Sequence, residues 1–253
     1  MATLQVKNMT IGEGKPKVIV PLVGKTSREI LNEAEAVNRL KPDMVEWRVD
    51  CYNEVENIQS VKDVLRELRA IFSNELLLFT FRSHKEGGNK VISDDYYVEL
   101  NLAAILTGQI DFIDIELFNK EEVIKSIQET AKANGVYVIM SNHDFTKTPD
   151  KDEIISRLRQ MQELGADIPK IAVMPNSVQD VITLLDATYT MKTKYADRPI
   201  ITISMGATGM ISRLAGELFG SAFTFGAGKD ISAPGQISVE ELKTVLDIFH
   251  KHL

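Results

Sequence analysis

The sequence predicts an α/β fold, the (β/α)8 or TIM barrel, with a short N-terminal β-hairpin ahead of the first barrel strand. Three observations carry this expectation. Eight β-branched or apolar runs alternate with longer helical patterns along the chain, which is the arithmetic of eight βα units. The stretch after the first run, "PLVGKTSRE", has only Gly24 and lacks the glycine fingerprint of a dinucleotide site, so a doubly wound open sheet is the weaker alternative. No linker or low-complexity break divides the chain, and residues 1–253 are expected to form one barrel domain.

The elements follow in order. The first dozen residues, with a turn at "EGKP", precede the first strand and could plug the barrel floor as a hairpin. The strand candidates are "KVIVPLV" from residue 17, "DMVEWRV" from 43, "LLLFTFR" from 76 and "DFIDIEL" from 111. They continue with "VYVIMSNHD" from 136, "DIPKIAVM" from 167, "PIITISM" from 199 and "SAFTFG" from 221. Between them lie amphipathic segments such as "SREILNEAEAVNRL", opened by a capping box from Thr26 to Glu29, and "NKEEVIKSIQETAKANG", closed by a glycine.

Barrel strands are buried on both sides, so a polar side chain in mid-strand is costly wherever it points. Period two nevertheless gathers the polar residues onto one face. Glu46 and Arg48 oppose Val45, Trp47 and Val49; Thr80 and Arg82 oppose Phe79 and Phe81; Asp114 and Glu116 oppose Ile113 and Ile115. Ser141 and His143 oppose Met140, and Lys170 opposes Ile171 and Val173. These residues cluster toward the C-terminal strand ends, where barrels carry active sites. For Asp114 or Glu46 alone, a satisfied buried ion-pair network is an equal reading. Lys170 and His143 fall on neighbouring strands, about 4.8 Å apart, and an amine beside a proton-shuttling imidazole points to nucleophilic catalysis on a carbonyl.

Composition narrows the function classes. The balance of 29 basic and 36 acidic residues gives a charge of −7, and no basic run interleaved with aromatics is present to track a phosphate backbone, so nucleic acid is not an expected partner. The single cysteine, Cys51, cannot form an internal disulfide, and His84, His143, His250 and His252 show no metal-ligand spacing. No stretch has signal-peptide character or the ~18 uninterrupted apolar residues of a membrane helix, so the expected location is cytoplasmic.

The stretches "VEWRVD", "FTFRSHKEGG", "IDIEL", "SNHDF", "KIAVMP", "ISRLAGELFGS" and "SAPGQI" resemble the type I 3-dehydroquinate dehydratase family, in the same order and over nearly the whole chain. The resemblance implies dehydration of 3-dehydroquinate to 3-dehydroshikimate in the shikimate pathway, without a metal or organic cofactor, by a homodimer. It implies that Lys170 forms an imine with the substrate ketone, that His143 moves protons, and that Glu86 orients His143. It also implies that Arg213 holds the substrate carboxylate and that Glu46, Arg48 and Arg82 hold ring hydroxyls. By the same resemblance, Ser232 and Gln236 are expected in a loop closing over the ring, and Phe145, Met205, Phe225 and Ala233 are expected to supply apolar walls. Ile203 stands where methionine is common in that family.

Some of these positions have independent support in the sequence. "GAGKDISAPGQI" is a long Gly/Pro-punctuated connection after the eighth strand, a place where barrels often put binding loops. It also invites a phosphate-site reading, which its lack of P-loop spacing weakens. Arg213 in a helical pattern and Glu86 in a glycine-rich loop stand out only through the resemblance. Two other functions remain open: another Schiff-base barrel such as an aldolase or transaldolase, and a non-catalytic barrel that binds a small carboxylic acid.

Overall fold

The computed structural model describes residues 3–228 and 235–253. A short antiparallel hairpin, β1 (Leu4–Val6) and β2 (Met9–Ile11), leads into the barrel strands. These are β3 (Lys17–Leu22), β4 (Met44–Arg48), β5 (Leu76–Thr80), β6 (Phe112–Glu116), β7 (Tyr137–Asp144), β8 (Ile168–Val173), β9 (Ile201–Ser204) and β10 (Phe223–Phe225). Each sequence-derived strand contains its counterpart here. The helices are α1 (Ser27–Arg39), α2 (Ile58–Ile71), α3 (Asp94–Leu106), α4 (Glu121–Ala133), α5 (Lys151–Glu163) and α6 (Val178–Thr190). Two short helices follow, α7 (Met210–Leu214) and α8 (Gly216–Phe219), before α9 (Val239–His252).

The eight parallel strands run in the order β10-β3-β4-β5-β6-β7-β8-β9. The ring is completed at the β9–β10 seam by one bridge, Ile200 to Ser221. There the Ala222 N–H donates to the Ile200 carbonyl at 2.8 Å, and Ser221 Oγ accepts from the Thr202 N–H at 3.1 Å. A side chain thus does at the seam what ladder hydrogen bonds do elsewhere.

Strand alternation divides the apolar residues into two cores. Val45, Trp47, Leu77, Phe79, Ile113, Ile115, Met140 and Val173 pack outward against the helices. Ile19, Met44, Leu76, Phe112, Ile139 and Ile168 fill the lower barrel interior, and Val6 and Ile11 of the hairpin join them from below. The hairpin therefore closes the floor, as expected. Its reversal lies at Lys7–Asn8, with Lys7 at φ +49°, and not at "EGKP", which follows β2. The capping box predicted at Thr26 and Glu29 forms, and a second one opens α6 at Ser177 and Asp180. Apolar layers fill the lower half of the barrel, so the polar inward residues are left to line its upper, C-terminal end.

Candidate active site

Inward polar side chains of β4, β7 and β8, with Arg82 and Glu86 from the segment after β5, meet in one cavity that opens to solvent at the C-terminal rim. Glu46, Arg48, Arg82, Glu86, His143, Phe145, Lys170, Met205, Arg213, Phe225 and Gln236 all line it, so these sequence-derived candidates are brought together. Ala172 and Ile203 add apolar wall. Ser232 and Ala233 lie outside the described residues.

Lys170 sits at the base of this cavity, 4% exposed. Register places it opposite Ser141 of β7 and Ile201 of β9, with His143 one step further up the same face of β7. Its Nζ is 3.6 Å from Asp114 Oδ2, 3.9 Å from Glu46 Oε1, and 4.7 Å from the centroid of the Phe225 ring. Among the described residues the ammonium donates no hydrogen bond, so it is held loosely. Burial depresses its pKa; Glu46 and Asp114 oppose this, and Arg82 and Arg48 reinforce it. Burial is the largest of these effects, and its sign favours a free amine.

Arg82, just past the end of β5, anchors the carboxylates of the neighbouring strand. Its Nη2 meets Asp114 Oδ1 at 2.9 Å, and its Nη1 donates to Glu116 Oε1 and Ser141 Oγ, both at 2.9 Å. Ser141 Oγ donates on to Asp114 Oδ1 at 2.7 Å. Asp114 is thereby held below its usual pKa despite burial, through Arg82 and Lys170. Thr80 Oγ1 similarly donates to Glu46 Oε1 at 2.9 Å. Arg82, Asp114, Glu116 and Glu46 are thus paired and hydrogen-bonded, as burial requires.

The loop after β5 carries Glu86 under the end of β7. Its Oε2 accepts the His143 backbone N–H at 3.0 Å and lies 2.9 Å from His143 Nδ1. Burial, with Glu116 and Asp114, pushes the Glu86 carboxyl up, while Arg82 and a hydrogen bond from Asn142 pull it down. Burial, with Arg82, Lys170 and Arg48, holds His143 well below its ordinary pKa. The imidazole is therefore neutral in the empty cavity. Two glycines let the loop pass: a Cβ on Gly87, at φ +84°, would lie 2.4 Å from the Phe145 ring, and one on Gly88 would lie 1.8 Å from the Arg82 carbonyl oxygen. Phe145 in turn stacks on His143, at 22° and 6.5 Å between centroids.

A buried amine and a neutral imidazole opening onto one cavity are equipment for imine formation with proton transfer. The sequence model of the type I 3-dehydroquinase family matches residues 18–252. The chain belongs to the type I 3-dehydroquinase family. It is 62% identical to the 3-dehydroquinate dehydratase of Bacillus velezensis, with both chains fully covered. Against the enzyme of that name from Bacillus subtilis it is 60% identical, covering 100% of this chain and 99% of the relative. A crystal structure of type I 3-dehydroquinate dehydratase from Clostridium difficile, with covalently modified comenic acid, superposes with a TM-score of 0.97 at 56% identity, covering 100% of this chain and 99% of that one.

In this type I 3-dehydroquinase chain, Arg48 and Arg213 occupy the upper wall. Arg48 makes a two-pronged contact with Asp50, at 2.8 and 2.9 Å, and Asp50 also accepts from the backbone N–H groups of Arg82 and Asn89. Sequence reasoning missed Asp50; its only signal was an acidic residue two places after an inward arginine. Arg213 is 1% exposed, and burial lowers its guanidinium to about 10, so it stays cationic at neutral pH. Among the described residues, no group of His, Cys, Asp or Glu is arranged to hold a metal ion, and no helix is long and apolar enough to cross a membrane.

Proposed function

We propose that this chain is a hydro-lyase that dehydrates 3-dehydroquinate to 3-dehydroshikimate in the shikimate pathway, through an imine on Lys170. The observation that carries the reading is the buried amine of Lys170 facing the same cavity as the Glu86-bound imidazole of His143.

Lys170 attacks the ketone carbon, and loss of the carbonyl oxygen as water leaves an iminium. The iminium draws electrons from the adjacent carbon, whose proton passes to His143 Nε2 and leaves an enamine. The hydroxyl one carbon further on departs with the proton that His143 returns, as a second water. Hydrolysis of the conjugated iminium consumes one water and frees Lys170, so the net change is loss of one water. No step requires a metal or an organic cofactor.

Around this chemistry, Arg213 pairs with the substrate carboxylate, and Glu46, Arg48 and Arg82 hold ring hydroxyls. Phe145, Met205 and Phe225 wall the ring, and Gln236 closes over it. The chain works as one barrel domain in the cytoplasm. It pairs as a homodimer, which the exposed apolar side chains of Val178, Ile182 and Tyr189, spaced along α6, support.

Turnover of 3-dehydroquinate, followed by the absorbance of its conjugated product, tests the reading. Lys170→Ala should abolish turnover and His143→Ala should lower it by about 10²-fold or more, both with unchanged circular dichroism. Near-normal turnover in either variant would overturn the assignment.

A further inference from the structure

Behind the His143–Glu86 pair runs a chain of contacts whose direction is set at its outer end. Arg157 on α5 donates from Nη1 to Asn142 Oδ1 at 2.8 Å. A guanidinium has only donors, so Asn142 must turn its carbonyl toward Arg157 and its NH₂ the other way. That Nδ2 donates to Glu86 Oε1 at 3.2 Å, while Oε2 faces His143 Nδ1 at 2.9 Å. We propose that Arg157 and Asn142 are positioning residues that keep Glu86 an acceptor and so select the His143 tautomer with its proton on Nδ1, leaving Nε2 free to take the substrate proton. This rests on the reading of His143 as the proton carrier.

The need for such a device follows from the surroundings of Glu86. The carboxyl is buried, and Glu116 and Asp114 favour its protonation; Arg82, 3.7 Å away, and the Asn142 hydrogen bond oppose it. A protonated Glu86 would donate to Nδ1 and move the imidazole proton to Nε2, where the ring cannot act as a base toward the cavity. A wrong tautomer in a hydrogen-bonded catalytic group costs far more than the bond itself. Arg157 is itself fixed, by Glu153 Oε1 at 2.6 Å on its own helix and by the Phe118 ring, 5.4 Å from its guanidinium carbon. Neither Asn142 nor Arg157 lines the cavity. Their effect should therefore fall on kcat and its pH profile, and not on KM.

The test uses the full chain with Arg157→Leu, Asn142→Asp and the donor-only replacement Arg157→Lys. Steady-state kinetics across pH, thermal unfolding, and nitrogen NMR of the His143 ring are measured for each. Arg157→Leu should lose about tenfold in kcat, with KM little changed, its acid limb moved to higher pH, and the ring signals shifted toward the Nε2–H tautomer. Asn142→Asp, which replaces the donor by an anion, should lose more, and Arg157→Lys should recover most of the loss. A wild-type pH profile and tautomer in folded Arg157→Leu would overturn the proposal, as would a kcat loss in both variants with an unmoved acid limb. If His143→Ala keeps normal turnover, the underlying functional reading falls instead.

Discussion

The Nζ of Lys170 stands 3.6 Å from Oδ2 of Asp114, whose other oxygen is tied down by Arg82 and Ser141. A carboxylate anchored on one side and facing the amine on the other stabilises whichever state of Lys170 is cationic. An iminium is cationic without needing a proton, so Asp114 should favour the covalent intermediate over the free amine. Asp114→Asn should lower kcat by an amount on the order of tenfold or more, the scale of one to two kcal/mol in a barrier. It should also depress the Lys170 pKa further, because one of the two anions opposing burial is gone. The midpoint of borohydride trapping against pH should then move downward; an unmoved midpoint would contradict this role.

Arg82 is the keystone of the interior charges. Its loss leaves Asp114 and Glu116 buried without their nearest cation. Removing one partner from a buried ion pair costs about 3–5 kcal/mol, so Arg82→Ala should unfold at markedly lower denaturant concentration. The pH dependence has a definite sign. Unpaired buried carboxylates would have folded-state pKa values above their unfolded ones, so stability is retained at low pH and lost as pH rises through the raised values. Urea unfolding should therefore show a smaller deficit at mildly acidic than at mildly alkaline pH.

Gly87 couples backbone geometry to the catalytic imidazole. At φ +84°, with the Phe145 ring 2.4 Å from where a Cβ would stand, Gly87→Ala must both strain the turn and displace the ring stacked on His143. A cost of about 1–3 kcal/mol in stability is expected for such a conformation. KM should rise as the Phe145 wall shifts. A variant with unchanged melting temperature and KM would show that the ring and the turn are independent.

Much of this arrangement was legible in the sequence because barrel strands are dry on both sides. An inward Lys170, Glu46 or Arg82 breaks an otherwise apolar alternation, and the break locates the cavity. Register also follows from that alternation, which is why the strand candidates match those observed. Asn142 shows where pattern reading stops. By period two it belongs to the outward face of β7, and only the loop carrying Glu86, folded around the end of that strand, brings a site residue to it. Arg157 has the i, i+4 spacing to Glu153 of an ordinary surface pair, and its second contact, across to β7, has no local trace. Arg213 was visible only by resemblance: its five-residue helix reads as surface, yet tertiary packing buries it completely. The hairpin reversal was misplaced because Lys7 adopts a positive φ that glycine usually signals, while the glycine of "EGKP", Gly14, lies beyond it.

The central claim is that Lys170 becomes covalently bound to the substrate ketone. Incubation with 3-dehydroquinate and borohydride, followed by peptide mass mapping, tests it most directly, since reduction converts the imine into a stable secondary amine. Inactivation with the adduct on the peptide containing Lys170, and none in Lys170→Ala, is the predicted result. Turnover of 3-dehydroquinate with no adduct, or with the adduct on a different lysine, would contradict the account.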